Sequence, residues 1–451
     1  MVVCPSTGMA GGRKGGRGGS SSKSAVSVLQ MVPCPGRSLA GGGLRTCGPC
    51  PGALRRLRVS IPFGKRRVHM RPSAKCLSAP RSEIRTMFSL AAGYPDALSL
   101  GIGEPDFPTP EHIREAGKRA LDEGRTKYTP NAGIPELRRG LAEKLSRENG
   151  LACDPERNLV VTSGACEAIM LSLLGLVEPG DEVLVPDPGW PNYYGQVHMA
   201  GGTTVPYPLL ESERFHVRAE RIAPRITPRT RLLLLNSPGN PTGAVTSPEE
   251  LREVADLAIR HDLTVISDEP YEKFLYDGAR HLSPASLPGM AERVLTVNSF
   301  SKTYSMTGWR VGYIHGPEEV VTELVKLQEG MSACVTACAQ WAALEALRGS
   351  QDCTRVMVEA YRRRRDLLVE GLNRLPGVHC ILPEGAFYAF ANVEVLGSSQ
   401  EVAMDWLRRG RVVVVPGSGF GPHGEGYVRL CFAASEDTIR EALGRLAGIL
   451  G

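Results

Sequence analysis

Along the middle of the chain, short apolar runs alternate with longer stretches whose apolar positions recur every three or four residues. Leu159–Thr162 is one such run; Ser163 and Gly164 follow it, and then a helical pattern covers 165–177. Further runs occupy 181–186, 231–236, 263–268 and 293–299, while Pro248–Arg260 has the period of an amphipathic helix. Runs that stay apolar without alternating, separated by helices, predict strands buried on both faces, as in a largely parallel sheet covered on two sides. Toward the C-terminus the pattern changes. A long charged helix is expected around 361–375, followed by strands at 385–390, 412–415 and 427–432. That mixture predicts a smaller α+β domain. No internal repeat is present.

The first 82 residues carry no such pattern. They contain no Asp or Glu but 15 of the chain's 53 Lys and Arg, leaving 38 basic against 48 acidic residues in the rest, a net of −10. The overall charge of +5 therefore averages two unlike segments, and the acidic body argues against nucleic acid as a partner. Arg- and Ser-rich, acid-free sequence with little periodic apolar content is the composition of an organelle transit peptide, expected to be disordered. A basic arm for nucleic acid or a membrane surface is the alternative. Length and Gly, Ser and Pro content favour plastid over mitochondrial matrix. Cys47-Gly48-Pro49-Cys50 has the spacing of a redox pair but sits among Gly and Pro rather than between a strand and a helix, so we read it as chance. The other cysteines lack metal-ligand spacing, no metal site is expected, and no apolar run is long enough to span a bilayer.

Chemistry concentrates where the predicted strands end. In open parallel sheets, ligands bind beyond the carboxyl ends of the strands. Ser163-Gly164-Ala165, the stretch from Asn236 to Gly243, Asp268-Glu269-Pro270-Tyr271 and Ser299-Phe300-Ser301-Lys302 each follow one such run. Four independent strand ends thus deliver polar groups to one edge.

The stretch from Ser299 to Tyr313, with Asn240-Pro241-Thr242-Gly243 and Gly103-Glu104-Pro105-Asp106-Phe107, resembles the fold-type-I aminotransferases that depend on pyridoxal 5′-phosphate (PLP). These form the aspartate aminotransferase superfamily, and the chain looks most like its aspartate and aromatic branch in bacteria and archaea. The resemblance runs from about Ser82 to the C-terminus. It implies an α/β fold: a large domain with a mostly parallel seven-stranded sheet flanked by helices, plus a smaller α+β domain. The segments would then be a transit peptide at 1–82, the N-terminal part of the small domain at 83–125, the large PLP-binding domain at 126–345 and the rest of the small domain at 346–451.

The same resemblance assigns roles. Lys302 would carry the cofactor and then act as the base that moves the substrate proton. Asp268 would pair with the pyridine nitrogen, a helix cap being its bland alternative. Asn240 and Tyr271 would bond the ring's phenolate oxygen, although Asn240 before Pro241 also suits a turn. Ser163, Gly164 and Ala165 at a helix start, with Ser299 and Arg310, would hold the phosphate. Tyr128 would reach the phosphate of a neighbouring subunit, implying a homodimer with shared sites. Trp190, between Gly189 and Pro191, would stack on the ring rather than fill a core. Arg429, a lone cation within an apolar strand, would grip the substrate α-carboxylate, with Gly103 contributing a backbone N–H.

Cys166 marks a departure. Some aspartate-selective members have a lysine at that position, two residues after the phosphate-binding glycine, so one means of holding a second carboxylate is missing. Its absence counts against dicarboxylate selectivity and prephenate use and leaves aromatic, alanine-like or broad amino donors open. The activity implied is transfer of an amino group from an L-amino acid, aspartate or aromatic, to a 2-oxo acid such as 2-oxoglutarate. A lyase or synthase on the same fold and a non-catalytic PLP-binding module are the rivals. The second loses ground because no helix-turn-helix pattern precedes the body and Lys302, Asp268 and Arg429 are all present.

Overall fold

A computed structural model of the chain describes residues 70–78 and 83–451. Most of the expected transit peptide and the Cys47 and Cys50 pair lie outside the described residues. Within the basic segment, Ala74–Ser78 is a short helix with no buried residue. Its Lys75 Nζ donates to the Met199 carbonyl at 2.9 Å, a local order that the composition did not predict.

Ser73–Gly451 is one compact unit. A two-residue strand, β1 (Leu98–Ser99), precedes the main sheet. That sheet comprises β2 (Leu159–Thr162), β3 (Glu182–Asp187), β4 (Thr203–Pro208), β5 (Thr230–Asn236), β6 (Thr264–Asp268), β7 (Val294–Ser299) and β8 (Gly312–His315), in the order β2-β8-β7-β6-β5-β3-β4. β3, β4, β5, β6 and β7 pair in parallel, and β8 runs antiparallel to both its neighbours. The apolar runs explain the burial. Leu232 and Leu234 face one apolar layer with Val183, Val185 and Ile266; Leu233 and Leu235 face the other with Leu184 and Val265. A strand buried on both sides gains from every residue, about 25 cal/mol per Å² of apolar surface removed from water.

A smaller antiparallel sheet is formed by β9 (His379–Cys380), β10 (Tyr388–Asn392), β12 (Val415–Pro416) and β13 (Tyr427–Cys431), in the order β12-β13-β10-β9. β11 (Val412–Val413) pairs instead with β1. The expected single strand at 412–415 is therefore split, its two halves serving different sheets. The long helix spans Asp352–Leu372, starting well before Tyr361. Thr354, Val356 and Val358 lower helix propensity there, and burial of Thr354 and Met357 outweighs that small cost.

Two strands of the main sheet escaped the sequence reading, as did the two-residue strands β1 and β9. β4 lies at the sheet edge and contains Pro206 and Pro208, which an edge tolerates more readily than a central strand. β8 is four residues long and starts with Gly312.

Candidate active site

The polarity of the main sheet brings the polar strand ends together. β2, β3, β5, β6 and β7 all finish at one edge, leading to Ala165, Trp190, Asn240, Tyr271 and Lys302 respectively. Because β8 runs the other way, the residues before it, including Arg310, arrive at that same edge. The small sheet contributes Tyr388 from β10 and Arg429 from β13. Together with Gly103 these groups line a cavity of about 260 Å³.

Lys302 sits in the short helix Phe300–Thr303, whose start is capped by Ser299: its Oγ accepts from the Ser301 N–H at 3.1 Å. The Lys302 amine donates to the Gly103 carbonyl at 2.5 Å. Burial lowers its pKa from the usual lysine value to about 8, with neighbouring Arg429 and Arg310 adding to the effect. A lysine so placed has a substantial neutral fraction near pH 8 and can act as a nucleophile or base.

Asp268 closes β6 and is 4 % exposed. Tyr193, fully buried, donates its hydroxyl to Asp268 Oδ2 at 2.6 Å. The other oxygen, Oδ1, is buried with no partner. Burial raises the carboxyl to about 7, the neighbouring Glu269 adds to this, and the Tyr193 bond opposes it. A carboxylate held by one donor with its second oxygen bare and facing the cavity is suited to a cationic N–H, as the protonated pyridine nitrogen of PLP would offer. No helix follows Asp268, so the helix-cap alternative does not apply. Asn236 fixes the neighbouring backbone: its Nδ2 donates to the Asp268 carbonyl and its Oδ1 accepts from the Asn240 N–H, both at 2.9 Å.

Arg429 is 2 % exposed. Nη1 donates to Asn240 Oδ1 at 2.9 Å and Nη2 to the Gly101 carbonyl at 2.6 Å, while Nε has no partner. The rings of Tyr388 and Phe420 lie 4.5 and 4.9 Å from the guanidinium carbon. Among the described residues no carboxylate pairs with it. Burying an arginine without an anion is costly unless a ligand supplies one. Tyr271 and Tyr388 share a hydroxyl–hydroxyl bond of 2.8 Å beside it.

An anion-binding corner forms where the helix Ala165–Leu176 begins. Gly164 has φ +78°, and a side chain there would strike the Arg310 guanidinium. Arg310 Nη2 donates to the Ser163 carbonyl at 3.1 Å and Nη1 to the Thr307 carbonyl at 2.9 Å, which aims the cation at the helix start. Ser299 lines the same cavity. Tyr128 does not: it is 91 % exposed and outside its own chain's cavity. Trp190 lines the cavity and meets Tyr193 edge-on at 5.4 Å between ring centroids.

Glu269, Glu272 and His281 are close enough to one another to suggest a metal site behind Asp268. Their oxygens are already engaged, Glu269 by Ser267, Ser283 and His281 and Glu272 by Lys144 and Asn149. The cluster is a closed ion-pair network.

The family described as aminotransferase class I and II matches residues 95–446. The chain belongs to that family. It is 44 % identical over 372 residues to an aspartate aminotransferase of Pyrococcus abyssi, covering 82 % of this chain and 95 % of the relative. An aromatic-amino-acid aminotransferase 2 of Thermococcus litoralis is likewise 44 % identical with the same coverage. The solved aspartate aminotransferase of Thermus thermophilus with maleate superposes with a TM-score of 0.81 at 43 % identity, covering 84 % of this chain and 100 % of that one. As a class I and II aminotransferase the chain is an enzyme that transfers amino groups, and its family depends on PLP.

Three residues of this aminotransferase's site were missed in the sequence. Tyr193 and Phe420 drew no role from the sequence, and Tyr388 only fell within the expected strand at 385–390. For Tyr193 a signal existed, since it lies in the first turn of the helix Asn192–Ala200 that follows β3.

Proposed function

We propose that the chain is a homodimeric aminotransferase that binds PLP at Lys302 and passes the amino group of aspartate or an aromatic amino acid to a 2-oxo acid such as 2-oxoglutarate. The observation that carries this reading is Arg429, a buried cation without a carboxylate partner, opening onto the cavity that holds the Lys302 amine. When bound, PLP supplies an electron-accepting ring that stabilises negative charge at the substrate Cα.

The chain's own residues do the rest. Arg429 binds the substrate α-carboxylate with donors left over from Asn240 and Gly101. Lys302 Nζ, deprotonated above about pH 8, takes the proton from the substrate Cα and returns one later. Asp268 Oδ1 would hold the ring N–H, with Tyr193 fixing the carboxylate's orientation. Trp190 would cover the ring, and Asn240 and Tyr271 would bond its phenolate oxygen. Arg310, Ser299 and the helix start at Ala165 would take the phosphate.

The 91 % exposure of Tyr128 supports its reaching a second copy. The acid-free basic composition of residues 1–82 supports import into an organelle, the plastid before the mitochondrial matrix. The absorbance of the PLP-bound protein tests the central reading. Its visible band should fade on adding single amino acids, aspartate and phenylalanine first, and return with 2-oxoglutarate. A band that no amino acid alters refutes aminotransfer, and product formed without any oxo acid would indicate a lyase.

A further inference from the structure

Asp187 ends β3, three residues before Trp190, and is fully buried. Its partner lies in the loop between β12 and β13. The His423 Nδ1 is 2.6 Å from Asp187 Oδ2, and the His423 backbone N–H donates to Oδ1 at 3.1 Å. A second tie runs in the same direction, since the Gly189 N–H donates to the Phe420 carbonyl at 2.8 Å. Between them sits Gly421, with φ +127°, where a side chain would run into the Asp187 carboxylate. The loop that carries Phe420 is thereby fastened to the segment that carries Trp190. Phe420 in turn packs against the Arg429 guanidinium. His423 does not line the cavity, and its side chain is 42 % exposed.

We propose that His423 is a positioning residue. By holding Asp187 it fixes Phe420 against Arg429, and so sets how well Arg429 presents its free donors to the substrate carboxylate. The proposal rests on the reading that Arg429 binds that carboxylate. Asp187 needs the histidine for a physical reason: burial pushes its carboxyl up, and the His423 hydrogen bonds oppose that push. Without the side-chain donor, one oxygen of a fully buried carboxylate loses its partner, and the loop can relieve this only by moving.

The test uses the PLP-bound full chain, with His423→Leu and His423→Asn variants. Asparagine keeps an N–H donor near the position of Nδ1; leucine removes it. KM and kcat are measured for whichever of L-aspartate and L-phenylalanine the wild type uses, at saturating 2-oxoglutarate. His423→Leu should raise KM about fivefold, the scale of one charge-assisted hydrogen bond acting through a loop with a second tie, while kcat stays within about twofold. His423→Asn should restore KM to about the wild-type value. An unchanged KM in His423→Leu, a fall in kcat alone, or a raised KM that asparagine does not restore would each overturn the proposal. Wild-type protein that turns over neither donor would instead overturn the aminotransfer reading, and the proposal with it.

Discussion

Arg429→Lys isolates what the fork of the guanidinium contributes. Arginine has five N–H donors. One goes to Asn240 and one to Gly101, leaving three, of which Nε is the one with no partner at all. A carboxylate can therefore be held through two parallel bonds. A lysine at this position keeps the charge but has three donors; if Asn240 and Gly101 retain theirs, one remains, and the grip becomes single. The side chain is 2 % exposed, so solvent offers little compensation. Losing one charge-assisted hydrogen bond costs about 1.5–3 kcal/mol, which is a fall of about 10- to 150-fold in kcat/KM. The assay is initial rates over a range of amino donor, with PLP content and the unfolding midpoint measured to confirm a loaded, folded variant. A Lys variant within about threefold of wild-type kcat/KM would refute the bidentate assignment and leave Arg429 as an internal structural cation.

Lys302→Ala should abolish turnover, and after borohydride treatment mass spectrometry should find PLP retained through denaturation in wild type but not in the variant. With its pKa lowered to about 8, Lys302 is protonated and unreactive toward a carbonyl below that pH, so PLP uptake by the cofactor-free protein should quicken as pH rises and level off above about 8 in stopped-flow absorbance. Asp268 titrates at about 7 in the folded, cofactor-free protein but near 3.9 when unfolded, so the folded state binds the extra proton between these values. Stability of the cofactor-free protein should therefore decline as pH rises through that window. Asp268→Asn cannot ionise and should unfold at a higher temperature than wild type at pH 8, and at a similar one near pH 4, by scanning calorimetry.

The sequence is most legible where one strand and its following turn carry the whole message. Lys302, Asp268 and Asn240 each lie within a few residues of a buried apolar run, so hydrophobic pattern and local chemistry together located them. Arg429 was legible for a related reason, as one charge inside an otherwise apolar strand. What could not be read is pairing between distant segments. Tyr193 touches Asp268 across 75 residues, and Tyr388 touches Tyr271 across 117. Nothing local to Tyr388 distinguishes it from core, and the place of Tyr193 just after β3 does not say which residue it meets. β8 was hidden because its direction depends on its neighbours, and the strand at 412–415 was misread because apolar character alone cannot say which sheet a residue joins. The Asp187 and His423 contact spans 236 residues and shows in neither neighbourhood.

The reversed direction of β8 also determines which parts of this enzyme can vary separately. Because it doubles straight back from β7, the amine of Lys302 and the guanidinium of Arg310 belong to one short connection, with no crossover helix between them. Their separation is set by that connection, so a residue inserted there would move the Arg310 guanidinium relative to the Lys302 amine. The groups that, on the proposed reading, would face the substrate carboxylate come largely from elsewhere: Gly103 precedes the sheet, while Tyr388, Phe420 and Arg429 follow it. On that reading, change in those outer segments would redirect which amino acid is accepted while Lys302 and Arg310 stay in place. Chemistry and choice of substrate would then lie on largely separable stretches of sequence that meet at Asn240, which accepts from Arg429.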